Sequence, residues 1–154
     1  MRLLTLVLLL TAAASSETLV RVDLTDNWKY FDADSPTFSA PDFDDSAWKS
    51  APSLGTNGTD GVRWWRRKAV VPQDAAGQPL YLTIPKGPAA YRVFVNGTPI
   101  GDSGDLKDLS NQTVMQPRTF PVPAGLIQPD GSCLVAIRDE NPFFLPPSLG
   151  LRTV

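Results

Sequence analysis

The chain has 154 residues, with 14 Lys and Arg against 16 Asp and Glu, a net charge of −2 and no histidine. That balance leaves no basic footprint for nucleic acid, and the missing imidazole removes the commonest general base, the commonest metal ligand and every Ser-His or Cys-His nucleophile. Charged residues at 19% fall below the usual quarter, and 15 Pro beside 11 Gly suit short strands joined by many turns around one core.

In chain order, "MRLLTLVLLLTAAASS" has a cationic Arg2, an apolar run from Leu3 to Leu10 and small residues at Ala12, Ala13 and Ala14. This is the layout of a secretory signal peptide over residues 1–14, cleaved after Ala14, and the run falls well short of the roughly twenty apolar residues that span a bilayer. The expectation is a protein exported to the periplasm or cell exterior, with one domain over residues 15–154.

Strand-like patterns then follow at 18–24 and 28–31, at 64–72, and in the clean alternations at 80–85 and 91–97. Further strands are expected at 119–123, 133–138 and 149–154. Turn signals separate them at Asn57-Gly58, Ala76-Gly77, Asn96-Gly97 and Asp130-Gly131, where glycine supplies positive φ. No segment has a long helical period. The pattern predicts an all-β protein, an antiparallel β-sandwich of the jelly-roll kind with about eight strands.

Four stretches carry the chemistry. In "DFDDSAWKS" (42–50), Asp42 or Asp44 is placed to cap a helical turn, and Phe43 with Trp48 to plug one end of the sandwich. The alternative use of Asp42, Asp44 and Asp45 is a structural calcium site, although the spacing lacks the glycine and distal Glu of an EF-hand loop. In "RWWRRK" (63–68) a strand sends Trp64 and Trp65 to opposite faces, so one belongs in the core and the other at the surface or rim. An exposed Trp with Arg66 beside it is the expected ligand contact, a ring to stack on a sugar and a guanidinium for its hydroxyls. For the arginines the preferred reading is structural: Arg66 or Arg67 pairs with an Asp of the preceding turn and locks it to the sheet.

"VFVNGTPIG" reads as a strand, a type I′ turn at Asn96-Gly97 and the next strand. The N-x-[ST] sites at Asn57, Asn96 and Asn111 invite glycosylation, but in two of them the glycine is explained by turn chemistry. The polar stretch 101–113 is expected as a loop over one end, where binding modules place specificity. Cys133 is the only cysteine and lies in an apolar strand, which favours a buried thiol over an intermolecular disulfide. Phe143 and Phe144, among prolines, are expected either as a rim patch or, preferably, as a core plug.

The order "PDFDDSAWKSAP", "LGTNGTDGVRWWRRKAVVP" and "LYLTIPKGPAAYRVFVNGTPIG" resembles the N-terminal sugar-binding, galactose-binding-like jelly-roll domain of glycoside hydrolase family 2 enzymes, from about Leu24 to Val154. The resemblance implies a β-sandwich that binds a glycan. The enzymes' catalytic barrel and paired Glu have no counterpart in this sequence. Glu17 and Glu140 are the only glutamates, and the pairs Asp102 with Asp105 and Asp139 with Glu140 sit in turn-like contexts that do not raise a carboxyl pKa as glycoside hydrolysis requires. The sequence therefore predicts a non-catalytic, carbohydrate-binding-type module without a cofactor, such as an accessory domain of a glycoside hydrolase. "AAYRVFVNGTPIGDSGDL", "RTFPVPAGL" and "CLVAIR" are also similar to periplasmic input domains of bacterial signalling receptors. That likeness implies a sensor or interaction domain, with a partner protein or a membrane-embedded downstream region.

Overall fold

A computed structural model of the chain describes residues 21–51, 54, 61–73, 75, 77–85, 90–104, 117–123, 125–140 and 148–150. The leader at 1–14, the turn at Asn57-Gly58, the third sequon at Asn111, most of the 101–113 loop, and Phe143 with Phe144 lie outside the described residues.

Ten strands run through them: β1 (Arg21–Asp23), β2 (Trp28–Phe31), β3 (Lys49–Ala51), β4 (Arg63–Val70), β5 (Leu80–Ile84), β6 (Tyr91–Val95), β7 (Thr98–Ser103), β8 (Arg118–Val122), β9 (Ser132–Asp139) and β10 (Ser148–Gly150). Every described pairing is antiparallel. One sheet has the order β1-β10-β5-β8 and the other β3-β2-β4-β9-β6-β7, which makes the expected all-β sandwich. β7 is the expected second arm of the Asn96-Gly97 hairpin, and it runs on to Ser103, so the first residues of the stretch 101–113 are strand and not loop. β3 is not legible in the sequence, because its three residues have no alternation to reveal it.

Period-two alternation decides which residues meet between the sheets. β4 sends Trp65 and Ala69 inward, β6 sends Tyr91, Val93 and Val95, and β9 sends Cys133, Val135 and Ile137. From the facing sheet come Leu80, Leu82, Ile84, Phe120 and Val122, and Trp28 closes one side by donating its indole N–H to the Leu24 carbonyl at 2.8 Å. Burial of this kind is worth roughly 1.5–3 kcal/mol per large apolar side chain. Cys133 is buried, and burial pushes its thiol up to about 11, so it behaves as a small apolar residue.

Two glycines are fixed by close approach. A Cβ on Gly131, at φ +82°, would meet the Val71 carbonyl oxygen at 2.1 Å, and one on Gly101 would meet the Phe120 ring at 2.3 Å. In the hairpin, Asn96 (φ 46°) and Gly97 (φ 81°) have the two positive φ values of a type I′ turn. The Asn96 side chain is also occupied: its amide donates to the Leu126 carbonyl and its oxygen accepts from the Leu134 N–H at 2.7 Å.

The outward face of the larger sheet overturns one expectation. The segment 32–48 does not plug an end of the sandwich; it lies as a strap across the outer face of β4, β9 and β6. Its single helical turn is the 3-10 turn Pro36–Ser39, upstream of Asp42 and Asp44 and capped by Ser35 instead of either. Phe38, Phe43 and Trp48 of the strap pack on Trp64, Ala136 and Phe94, a second apolar cluster separate from the main core. The physical reason is the alternation itself: a strand reading Arg63-Trp64-Trp65-Arg66 exposes a large indole on whichever face is not the core, and only a third layer can cover it.

Candidate functional site

The strap is held by aspartates that come from it and cations that come from the sheet. Arg66, 1% exposed, donates Nε to Asp45 at 2.9 Å, and its two other nitrogens to the carbonyls of Phe38, Ala40 and Phe43. Lys29, on the adjacent strand, donates Nζ to the other Asp45 oxygen, Oδ1, at 2.8 Å. Arg63 pairs with Asp32 and lies over the rings of Tyr30 and Trp65, with centroid distances of 4.6 and 5.4 Å. Arg138 forks onto Asp34, with Nε to Oδ1 at 2.9 Å and Nη2 to Oδ2 at 2.6 Å, and reaches Glu140 with its remaining nitrogen. The buried guanidinium of Arg66 thus has its donors engaged. It anchors the turn to the sheet, as one of the two sequence readings holds, and is not available to a ligand.

Both tryptophans are enclosed, which corrects the expectation that one is exposed. Trp65, 1% exposed, donates Nε1 to the fully buried Asp139 at 2.7 Å and packs on Tyr30 in the main core. Trp64, 2% exposed, donates Nε1 to Asp34 at 3.0 Å, stacks on Phe94 with centroids 5.3 Å apart, and receives the Phe38 edge. Neither ring offers an open face to a sugar. The structure gives the calcium candidates other partners. Asp45 is bound by two cations, Asp44 accepts the Ser46 backbone N–H at 2.9 Å, and among the described residues no group of three metal-ligating side chains assembles.

Beside the strap, at the end of the sheet where β4 and β6 begin and β7 and β9 finish, opens a cleft of about 770 Å³. Its floor is Phe94 lying on Trp64, with the Asp34–Arg138 pair on one side and Arg92, Asp102 and Ser103 on the other. Registers place Trp64, Arg138 and Arg92 in one cross-strand row and Arg66, Ala136 and Phe94 in the next, so the row rather than the chain brings these groups together. Arg92 and Asp102 are more than half exposed and stand 3.8 Å apart, a loose pair whose donors and acceptors face solvent. The β-bulge between Val93 and Phe94 shifts the β6–β7 register there.

None of the site carboxyls with a resolved shift is a proton donor at neutral pH. The hydrogen bond from Arg138 holds the Asp34 carboxyl below its ordinary value, against a smaller upward push from burial, and the Trp64 N–H and the Arg138 charge add to the lowering. Burial pushes Asp45 up, but the hydrogen bonds and charges of Arg66 and Lys29 outweigh it and hold that carboxyl low too. Depressed folded values stabilise the fold above the unfolded carboxylate range and lose that stabilisation as pH falls through the folded values. The expected result is an unfolding midpoint insensitive to these pairs from neutrality down to about pH 4 and falling below it. A urea titration series at stepped pH on wild type and Asp45→Asn checks this: the drop below pH 4 should be shallower in the variant.

The fold and the strap together define a class, an antiparallel β-sandwich with an aspartate-clamped third layer on its larger sheet. Residues 26–141 match the family described as the beta-galactosidase second all-beta domain, and the chain belongs to that family. Among solved structures, Bacteroides uniformis beta-glucuronidase 2 covalently bound to cyclophellitol-6-carboxylate aziridine superposes with a TM-score of 0.72 at 16% identity, over 86% of this chain and 18% of that one. Ruminococcus gnavus beta-glucuronidase gives 0.65 at 13% identity over 92% and 30%, and a beta-glycosidase from Bacteroides vulgatus gives 0.64 at 16% over 84% and 20%. At such identities the likeness is one of fold, and the chain spans less than a third of the length of each of these proteins. The search of curated proteins found no match. The chain is a β-sandwich domain of the kind found in glycoside hydrolase family 2, resembling an accessory domain of those enzymes.

Sequence reasoning missed Phe94, Arg92, Arg138 and Asp34 as site residues. The signal for three of them was the outward register of β6 and β9, which only pairing with β4 makes meaningful.

Proposed function

We propose that this domain is an exported, non-catalytic carbohydrate-binding module, and that its ligand lies in the cleft over Phe94. The observation that carries the reading is the cleft itself: an aromatic floor made rigid by Trp64, beside an exposed cation and an exposed carboxylate, Arg92 and Asp102. A pyranose ring presents an apolar C–H face and a rim of hydroxyls, and such a floor and rim complement both. The lowered Asp34 carboxyl suits acceptance of hydroxyl hydrogen bonds rather than proton donation to a leaving group.

A glycan array followed by titration tests this with wild type, Phe94→Ala and Arg92→Ala, folding being followed by circular dichroism. Arg92 is solvent-exposed, so its removal should leave stability within about 0.5 kcal/mol while weakening glycan binding about tenfold. Binding to no glycan, or binding indifferent to both substitutions, overturns the reading and leaves a sensor or protein-interaction domain as the better account.

A further inference from the structure

A second cleft, of about 490 Å³, opens at the opposite end of the sandwich, where β5 begins and β8 finishes. The cross-strand pair Leu80 and Val122 is buried beneath it, and half-buried Ile127 lies beside them. Gln73, Gln78 and Gln128 stand on its rim together with Pro123 and Pro129. Among the described lining residues none carries a charge.

The walls are fixed by backbone hydrogen bonds rather than by a ligand. On one side Ala75 N–H donates to Pro72 at 2.9 Å and Gln78 N–H to Ala75 at 3.1 Å. On the other, Leu126 N–H donates to Pro123 at 3.2 Å, Gln128 N–H to Ser132 at 3.0 Å and Gly131 N–H to Gln128 at 2.8 Å. Val71 N–H donates to Gly131 at 2.8 Å and ties the two walls together, and the Asn96 amide holds Leu126 from the hairpin side. The tight approach of Gly131 to Val71 leaves no room for a side chain at that junction. A concave site built this way exists before anything binds, which lowers the ordering cost of binding.

We infer that this Gln-rimmed cleft binds a neutral saccharide, as a second site independent of the Phe94 cleft. The primary amides of exposed Gln73 and Gln128 each donate and accept at once, so they match adjacent hydroxyls, each of which also does both. Half-buried Ile127 and exposed Pro123 and Pro129 supply the apolar surface that meets the C–H face of the ring. Charged ligands find no counter-charge among the described lining residues, and a proline-rich peptide finds none of the aromatic walls by which such peptides are held. The volume lies within the range of sites for small molecules, room for one or two sugar rings.

The test uses the full chain, labelled with nitrogen-15, titrated with maltotetraose, cellotetraose and xylotetraose in turn while amide and side-chain NH₂ signals are followed. At least one sugar should shift the Gln73 and Gln128 side-chain signals together with the Leu80 and Ile127 amides. The double variant Gln73→Ala/Gln128→Ala should weaken that binding at least about fivefold, as loss of neutral hydrogen bonds implies, with an unchanged spectrum elsewhere. Arg92→Ala should leave these shifts untouched, which separates this site from the cleft over Phe94. Shifts confined to Phe94 and Arg92, no shift with any of the three sugars, or equal affinity in the folded double variant would each overturn the inference.

Discussion

Replacing Arg66 by Leu is expected to lower stability by about 3–5 kcal/mol, the range found when one partner of a buried ion pair is removed. The side chain is 1% exposed and its guanidinium satisfies Asp45 and the carbonyls of Phe38, Ala40 and Phe43. Without it, Asp45 keeps only Lys29, the carbonyls of Phe38, Ala40 and Phe43 lose the guanidinium beneath a layer of aromatic rings, and leucine supplies only volume. Lysine in its place is not conservative either, because an ammonium cannot fork to a carboxylate and several carbonyls in one plane. Since whole domains of this size are stable by about 5–15 kcal/mol, the loss is large enough to see directly in a urea midpoint. The near-ultraviolet circular dichroism of Trp48 and Trp64 should weaken with it, because the strap that clamps them is released. A loss below about 1 kcal/mol would mean that the aromatic contacts alone hold the strap, and that the cation is incidental.

The second large effect is expected at Trp65. Trp65→Ala removes one of the two tryptophans of the inter-sheet core and should cost about 3–5 kcal/mol through the cavity it leaves. It also takes away the indole N–H that reaches Asp139, a fully buried carboxylate. Trp65→Phe separates the two contributions: most of the volume stays while the donor goes, so a cost of about 1–3 kcal/mol is expected from the hydrogen bond. Both are read from chemical denaturation. If Trp65→Phe matches wild type, Asp139 is satisfied without the indole. If Trp65→Ala is mild, the core near Tyr30 and Arg63 can close over the gap. Trp65 lies in the inter-sheet core and does not line the cleft, so neither variant is a probe of ligand contact, in contrast to Phe94→Ala and Arg92→Ala.

The sequence by itself determined the all-β class and most of the strands, because alternation along one strand and glycine or asparagine at a turn act over a few residues and need no partner. The type I′ turn at Asn96-Gly97 is such a case, since the positive φ it requires is a property of those two residues. It also determined that Trp64 and Trp65 point in opposite directions. What lies on each side is a tertiary fact. The reading that one indole is exposed assumed a two-layer sandwich, and the aspartate strap supplied a third layer. The pairing of Arg66 with Asp45 was the preferred of two readings, and the choice between them rests on burial, which no local pattern reports. The cleft over Phe94 was illegible for the same reason. Arg92, Phe94, Asp102 and Arg138 come from three strands and are neighbours only through the registers of β6 with β7 and β9. Asp34 joins them from the strap through the fork of Arg138. Side-chain direction is local, but adjacency across a sheet is set by which strands pair and in what register, and that was decided only when the whole chain folded.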